Sequence, residues 1–166
     1  MKKVIIAGIA TIIMIIVMQI LSKGIVTDYS SMGIVSFELA KTFRDASAII
    51  MAVGAKPLQI NVSVDFLFII TYCIFLYLCC KAIMNYFRSS GLKTIGLIFL
   101  ELSVLVGVLD LVENIAMLIT LGGYGSEISV TIARIAAIIK FSLAALVILY
   151  IIIASLFIIY FSKKKA

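Results

Sequence analysis

The chain has 166 residues, of which 64% are hydrophobic, with a mean hydropathy of +1.30 and a formal net charge of +6. A soluble domain holds apolar residues nearer half, so the excess must face something other than water or its own core. Histidine is absent, which excludes a histidine-held zinc, iron or haem site and removes the commonest general base at neutral pH.

In chain order, the first apolar run is Val4 to Leu21, behind Met1-Lys2-Lys3. It is long for the apolar region of a signal peptide and no small-x-small cleavage site follows, so it predicts an uncleaved transmembrane helix over about 4–22. An intervening segment carries Val35, Leu39, Phe43, Ala46, Ile50 and Val53 at three- and four-residue steps, with Glu38, Lys41, Thr42 and Asp45 on a neighbouring stripe. This spacing predicts an amphipathic helix over about 32–53, stopped by Gly54 and Pro57, that lies on the membrane surface or caps the bundle. Further spans are predicted at 60–83, 94–121 and 128–161. The last would be roughly 50 Å long at 1.5 Å per residue, against a hydrocarbon core of ~30 Å, so it should tilt or project. Gly122-Gly123-Tyr124-Gly125 closes the turn before it. The expected fold class is therefore an all-α membrane protein, a four-transmembrane-helix bundle in one domain, with an outer amphipathic helix between the first two spans.

Charge placement orients the bundle. Met1–Lys3, Lys81–Lys93 and Ser162–Ala166 hold Lys2, Lys3, Lys81, Arg88, Lys93, Lys163, Lys164 and Lys165 and no acidic residue. The positive-inside rule puts these segments, and both termini, in the cytoplasm of a multi-pass protein of the inner (plasma) membrane. The same residues read as contacts with anionic lipid headgroups. No basic stripe is interleaved with aromatics, which argues against nucleic acid as a partner. Cys73, Cys79 and Cys80 fall in one apolar run and read as small buried hydrophobes, with Cys79-Cys80 beside Lys81 also fitting a juxtamembrane acylation site. Asn61-Val-Ser63 matches a glycosylation sequon but sits at the membrane edge and reads as accidental.

The chemistry of the chain concentrates in the third span. An acidic residue near a helix centre costs about 2.5–3.5 kcal/mol on insertion, whereas each Leu, Ile or Val returns only about 0.3–0.6. Intramembrane acids must be protonated, paired or turned to a wet interior, and are functional candidates by default. Asp110, Glu113 and Asn114, at i, i+3 and i+4, share one helical face. Asp65 in the second span, Lys140 in the fourth and Glu38 in the amphipathic segment are expected at a similar depth, in the outer half. Lys140 is the natural partner of Glu113 or Asp110, because an unpaired ammonium in low dielectric would lose its proton. A charge network that only fixes helix register is the competing explanation of the cluster. Arg134 is offset from Lys140 and is expected to reach headgroups or to pair with Asp45 or Glu38. Glu101 faces the opposite side and is expected to pair with Lys93 or Arg88.

The segments Gly33-Ile-Val-Ser-Phe-Glu38-Leu-Ala40, Asp65-Phe-Leu-Phe68, Leu109-Asp-Leu-Val-Glu-Asn114 and Ile139-Lys-Phe141 together resemble a pattern of uncharacterised small bacterial four-helix membrane proteins. The resemblance spans most of the chain. It implies that Glu38, Asp65, Asp110, Glu113, Asn114 and Lys140 belong together, and it implies no activity.

These features favour a non-enzymatic binding or accessory protein whose outer-leaflet polar pocket takes a lipid or small amphiphile beneath the amphipathic helix. Lys140 would meet an anionic head, Asp110 and Glu113 would hold Lys140 or a cationic head, and Asn114 would supply hydrogen bonds. One alternative is an intramembrane lipid-modifying enzyme in which Asp65, Asp110, Glu113 and Glu38 hold a divalent cation through oxygen. Another is a proton-coupled transport component, for which a chain this short would need to oligomerise. Membrane lipids are the expected partners. A homo-oligomer or a partner membrane protein is open, and the sequence assigns no catalytic residue, cofactor or metal.

Overall fold

The computed structural model describes residues 2–87 and 89–163. Arg88, Lys164 and Lys165 of the expected basic segments lie outside the described residues. Six α-helices follow in order: α1 Lys2–Ser22, α2 Ile34–Glu38, α3 Phe43–Val53, α4 Ala55–Tyr86, α5 Ser90–Ile119 and α6 Glu127–Lys163. Helices α1, α4, α5 and α6 are each long and apolar enough to cross a membrane, which makes this an all-α bundle of four membrane-spanning helices. No β-strand forms among the described residues.

The predicted 32–53 helix is two helices. Its backbone breaks between Glu38 and Phe43 because Thr42 starts a new helix. The Thr42 hydroxyl accepts from the Asp45 backbone N–H at 3.1 Å and the Asp45 carboxylate accepts from the Thr42 N–H at 3.0 Å. This reciprocal box satisfies two N–H groups that helix continuation would otherwise have used. Glu127, at the start of α6, accepts from the Phe43 N–H at 3.0 Å and ties the two helix starts together. The apolar stripe survives the break. Val35, Phe43, Ile50 and Val53 pack against a core of Ile25, Phe37, Ala46, Ile49, Leu58, Val62, Met117, Leu121 and Val130, so α2 and α3 cap the bundle.

Glycines set the remaining corners. Gly54, at φ 89°, ends α3 and begins α4, a conformation that a side chain would strain. Pro57 then falls in the first turn of α4, where its missing N–H has no intrahelical partner to lose. That is why α4 starts at Ala55 rather than at residue 60. A π-helical turn over Thr120–Tyr124 closes α5, and Gly123, also at φ 89°, reverses the chain toward α6.

The helices pack in series: α1 on α4, α4 on α5 and α5 on α6, with the cap touching α4 and α6. The α4–α5 approach is close because α5 presents small residues. A Cβ on Gly107 would collide with Cys73 Sγ, and one on Gly96 would lie 2.8 Å from Met84 Cβ. Among the described residues, α1 and α6 share no packed interface, so the ring of helices is open on that side. A second core lies on the far side of the polar residues, built from Leu76, Cys80 and Val147 with Tyr72, Phe75, Phe99 and Tyr150 around it. The Phe99 and Tyr150 rings stack at 4.1 Å.

Candidate functional site in the polar layer between two apolar cores

The polar residues form a layer between the cap-side core and the second core. At 1.5 Å per residue, Asp65, Asp110 and Lys140 lie about 14–20 Å from the cap-side ends of their helices. Asp110, Glu113 and Asn114 sit on the buried face of α5, 4%, 0% and 1% exposed. Lys140 on α6 and Glu38 at the end of α2 are also buried, at 7% and 8%.

Lys140 is the hub. Its Nζ donates to Asp110 Oδ1 at 2.7 Å and lies 2.8 Å from Glu113 Oε2 and 3.9 Å from Glu38 Oε2. The Glu113 contact is an ion pair by distance, yet neither Glu113 oxygen receives a well-directed hydrogen bond. The second Asp110 oxygen accepts from the Tyr72 hydroxyl at 2.6 Å. Asn114 Nδ2 donates to Asp65 Oδ2 at 2.7 Å. Asp110 is thus satisfied from two sides, Asp65 from one, and Glu38 Oε2 is buried without a hydrogen-bond donor. Burial holds the Glu38 carboxyl above its ordinary value; Lys140 opposes the rise, and the charges of Asp110 and Asp65 add to it.

All six residues singled out in the sequence, Glu38, Asp65, Asp110, Glu113, Asn114 and Lys140, meet in this layer. Tyr72 belongs with them and was missed. The signal was present, because Asp65, Phe68, Tyr72, Phe75 and Leu76 recur at three- and four-residue steps and so share one face of α4. Other expectations on charged residues are corrected. Glu38 faces Lys140 and the Asp45 carboxylate is used in the α3 cap, so neither pairs with Arg134. Glu101 is exposed on the outside of α5 and forms no ion pair with Lys93, while Arg88, its other expected partner, lies outside the described residues. Cys79 and Cys80 are buried free thiols. Asn61 of the sequon is 1% exposed and its amide reaches Ser22 Oγ at 3.5 Å.

A cavity of about 520 Å³ adjoins the layer. Glu38, Asp65, Tyr72, Asp110 and Lys140 line its polar end. The rest of its wall is apolar apart from Thr11 and Ser22 of α1, with Ile15 and Met18 from α1 facing Phe141, Ala144 and Ile148 from α6 across a floor of Phe68, Phe75 and Leu76 from α4. It therefore occupies the side of the bundle where α1 and α6 share no extended interface. Among the described residues, no group of three or more cysteine, aspartate or glutamate side chains is arranged to hold a metal ion. The position between Asp110 and Glu113 is taken by the Lys140 ammonium.

No family model, curated protein or solved structure matches the chain.

Proposed function

We propose that the protein is a plasma-membrane binding or accessory protein, both termini cytoplasmic, that holds a lipid or other single amphiphile in the cavity between α1 and α6. The observation that carries this reading is the cavity itself, with one polar end on the charged layer and apolar walls on three helices. Ligand sites are typically concave and apolar with a few convergent polar groups, in the volume range found here.

Depth supports the same reading. Lys93 opens α5 and Lys81 lies near the end of α4, both at the end of the bundle away from the cap. Counting 1.5 Å per residue, Asp110 and Glu113 lie about 25–30 Å from Lys93, and Asp65 about 24 Å from Lys81. With the basic end at the cytoplasmic headgroups, a hydrocarbon core of ~30 Å would put the polar layer near the outer acyl–headgroup boundary. An amphiphile in the outer leaflet would then have its head at Asp65 and Glu38 and its chain along Phe75, Ala144 and Ile148. The α2–α3 cap would stand above the membrane as a small water-facing roof.

The metal-dependent enzyme alternative draws no support from this geometry, since the carboxylates close on Lys140 instead of on a common oxygen-lined point.

The test is native mass spectrometry of the protein extracted from its membrane, beside an Ala144→Trp variant that fills the cavity. One retained amphiphile per chain is expected in the native protein and none in an equally stable variant. Equal retention in both, or in neither, would refute the proposal.

A further inference from the structure

We infer that the cavity selects an amphiphile whose head is a protonated amine, and discriminates against anionic heads. This rests on the amphiphile-binding reading and specifies its ligand. Among the described residues, the cation of this layer is Lys140, and it is already engaged. Lys140 Nζ contacts Asp110 at 2.7 Å and Glu113 at 2.8 Å, and is itself 7% exposed. A carboxylate or phosphate head would have to draw Lys140 from both partners and would leave Glu113 buried with no counter-charge.

The free bonding capacity of the cavity is of the opposite kind. Glu38 is one of the residues lining it; its Oε2 has no directed donor, and the contacts of the carboxyl are the Lys140 ammonium at 3.9 Å and the Glu113 side chain. Asp65 also lines it, half-buried, with Oδ2 held by Asn114 and its other oxygen without a donor among the described residues. Four carboxyls, Glu38, Asp65, Asp110 and Glu113, surround one ammonium, so a second cation improves the charge balance and a further anion worsens it. A primary ammonium brings three N–H donors, and Glu38 and Asp65 both line the polar end that it would enter. Tyr72 does not compete, because its hydroxyl proton is committed to Asp110 at 2.6 Å. The apolar walls require a hydrocarbon chain behind the amine, which separates this ligand from a free inorganic cation or a soluble polyamine.

The experiment uses the full chain in neutral detergent, delipidated, with hexadecylamine, hexadecanol and hexadecanoic acid as probes of one chain length, read by native mass spectrometry at pH 7.5. The amine should be retained at least ten-fold more tightly than the alcohol, and the acid least. An Asp65→Asn, Glu38→Gln variant, which keeps the side-chain shapes, should bind amine and alcohol within about two-fold of each other. Retention of the acid at or above the level of the amine would overturn the selectivity while leaving a binding cavity. An amine preference unchanged in the variant would overturn the assignment to these two carboxyls. If none of the three probes is retained, the binding reading itself fails and the inference with it.

Discussion

Replacing Lys140 by Met removes the cation that Glu38, Asp110 and Glu113 share. The side chains of Lys140, Asp110 and Glu113 are 8%, 5% and 0% exposed, so water cannot take over the charge. Deleting one partner of a buried ion pair costs about 3–5 kcal/mol. Interhelical hydrogen bonds in membrane proteins, by contrast, average about 0.6 kcal/mol and reach about 1.7. A loss above about 2 kcal/mol would therefore mark a mutually dependent ion network and not an ordinary polar contact. The two orphaned acids differ. Asp110 keeps the Tyr72 hydroxyl at 2.6 Å, whereas Glu113 has no hydrogen-bond donor. Adding Glu113→Gln to Lys140→Met should consequently restore more stability than adding Asp110→Asn. Reversible SDS-induced unfolding in mixed micelles, followed by far-ultraviolet circular dichroism, gives each free energy and the coupling between sites. A single-variant loss below about 1 kcal/mol that adds simply to the loss from Glu113→Gln would refute the network, since coupled neighbours are not additive.

Glu38→Gln should change how stability responds to pH. Burial raises the Glu38 carboxyl above its ordinary 4.5, so between 4.5 and its folded value the native state binds more protons than the unfolded one. Stability must then fall as pH rises through that window. The variant should lose this decline and gain more thermal stability at pH 8 than at pH 4.5; an equal shift at both would contradict it. Tyr72→Phe removes the donor to Asp110 and should cost about 1–2 kcal/mol in the same unfolding assay, with no loss if Asp110 relies on Lys140 alone. Gly107→Ala should destabilise by about 1 kcal/mol or more despite the better helix propensity of alanine, because the new methyl meets Cys73 Sγ. Cys73→Ala in the same chain should reverse that loss, and failure to do so would place the conflict elsewhere.

Much of the frame was legible because a bilayer leaves so few solutions. Apolar runs without internal acids, such as that of α1, have no stable place but a lipid-facing helix. The shared face of Asp110, Glu113 and Asn114 follows from helical periodicity alone. The length of the cap-side helices was not legible, because Lys56, Pro57 and Gln59 look like loop residues. They fit a helix start only because Gly54 turns the chain and Pro57 falls where no N–H is required. The break at Thr42 was hidden for a related reason. The apolar stripe from Val35 to Val53 keeps its helical phase across the interruption, while the capping pair Thr42 and Asp45 reads equally well as a polar stripe. Tyr72 was overlooked because tyrosine suggests an interfacial anchor, and only its spacing from Asp65 marks it as an inward-facing residue.

The open side of the bundle and the charged layer are physically connected. Within lipid, closing α1 onto α6 gains little, since a hydrocarbon chain wets Ile15 and Ile148 about as well as a neighbouring helix would. Closure would need specific packing or polar contacts, and α1 offers mainly aliphatics, with Gly8 placed against the Phe75 ring of α4 instead. The seam is therefore under little pressure to close along most of its length. The polar end is different, because hydrocarbon cannot satisfy Glu38 Oε2 or the half-buried Asp65. On the cap side the layer is bordered by the apolar core of Ile34, Phe37, Met117 and Leu121. A molecule with a polar donor head and an apolar chain satisfies both ends at once, and neither bulk lipid tail nor bulk water does.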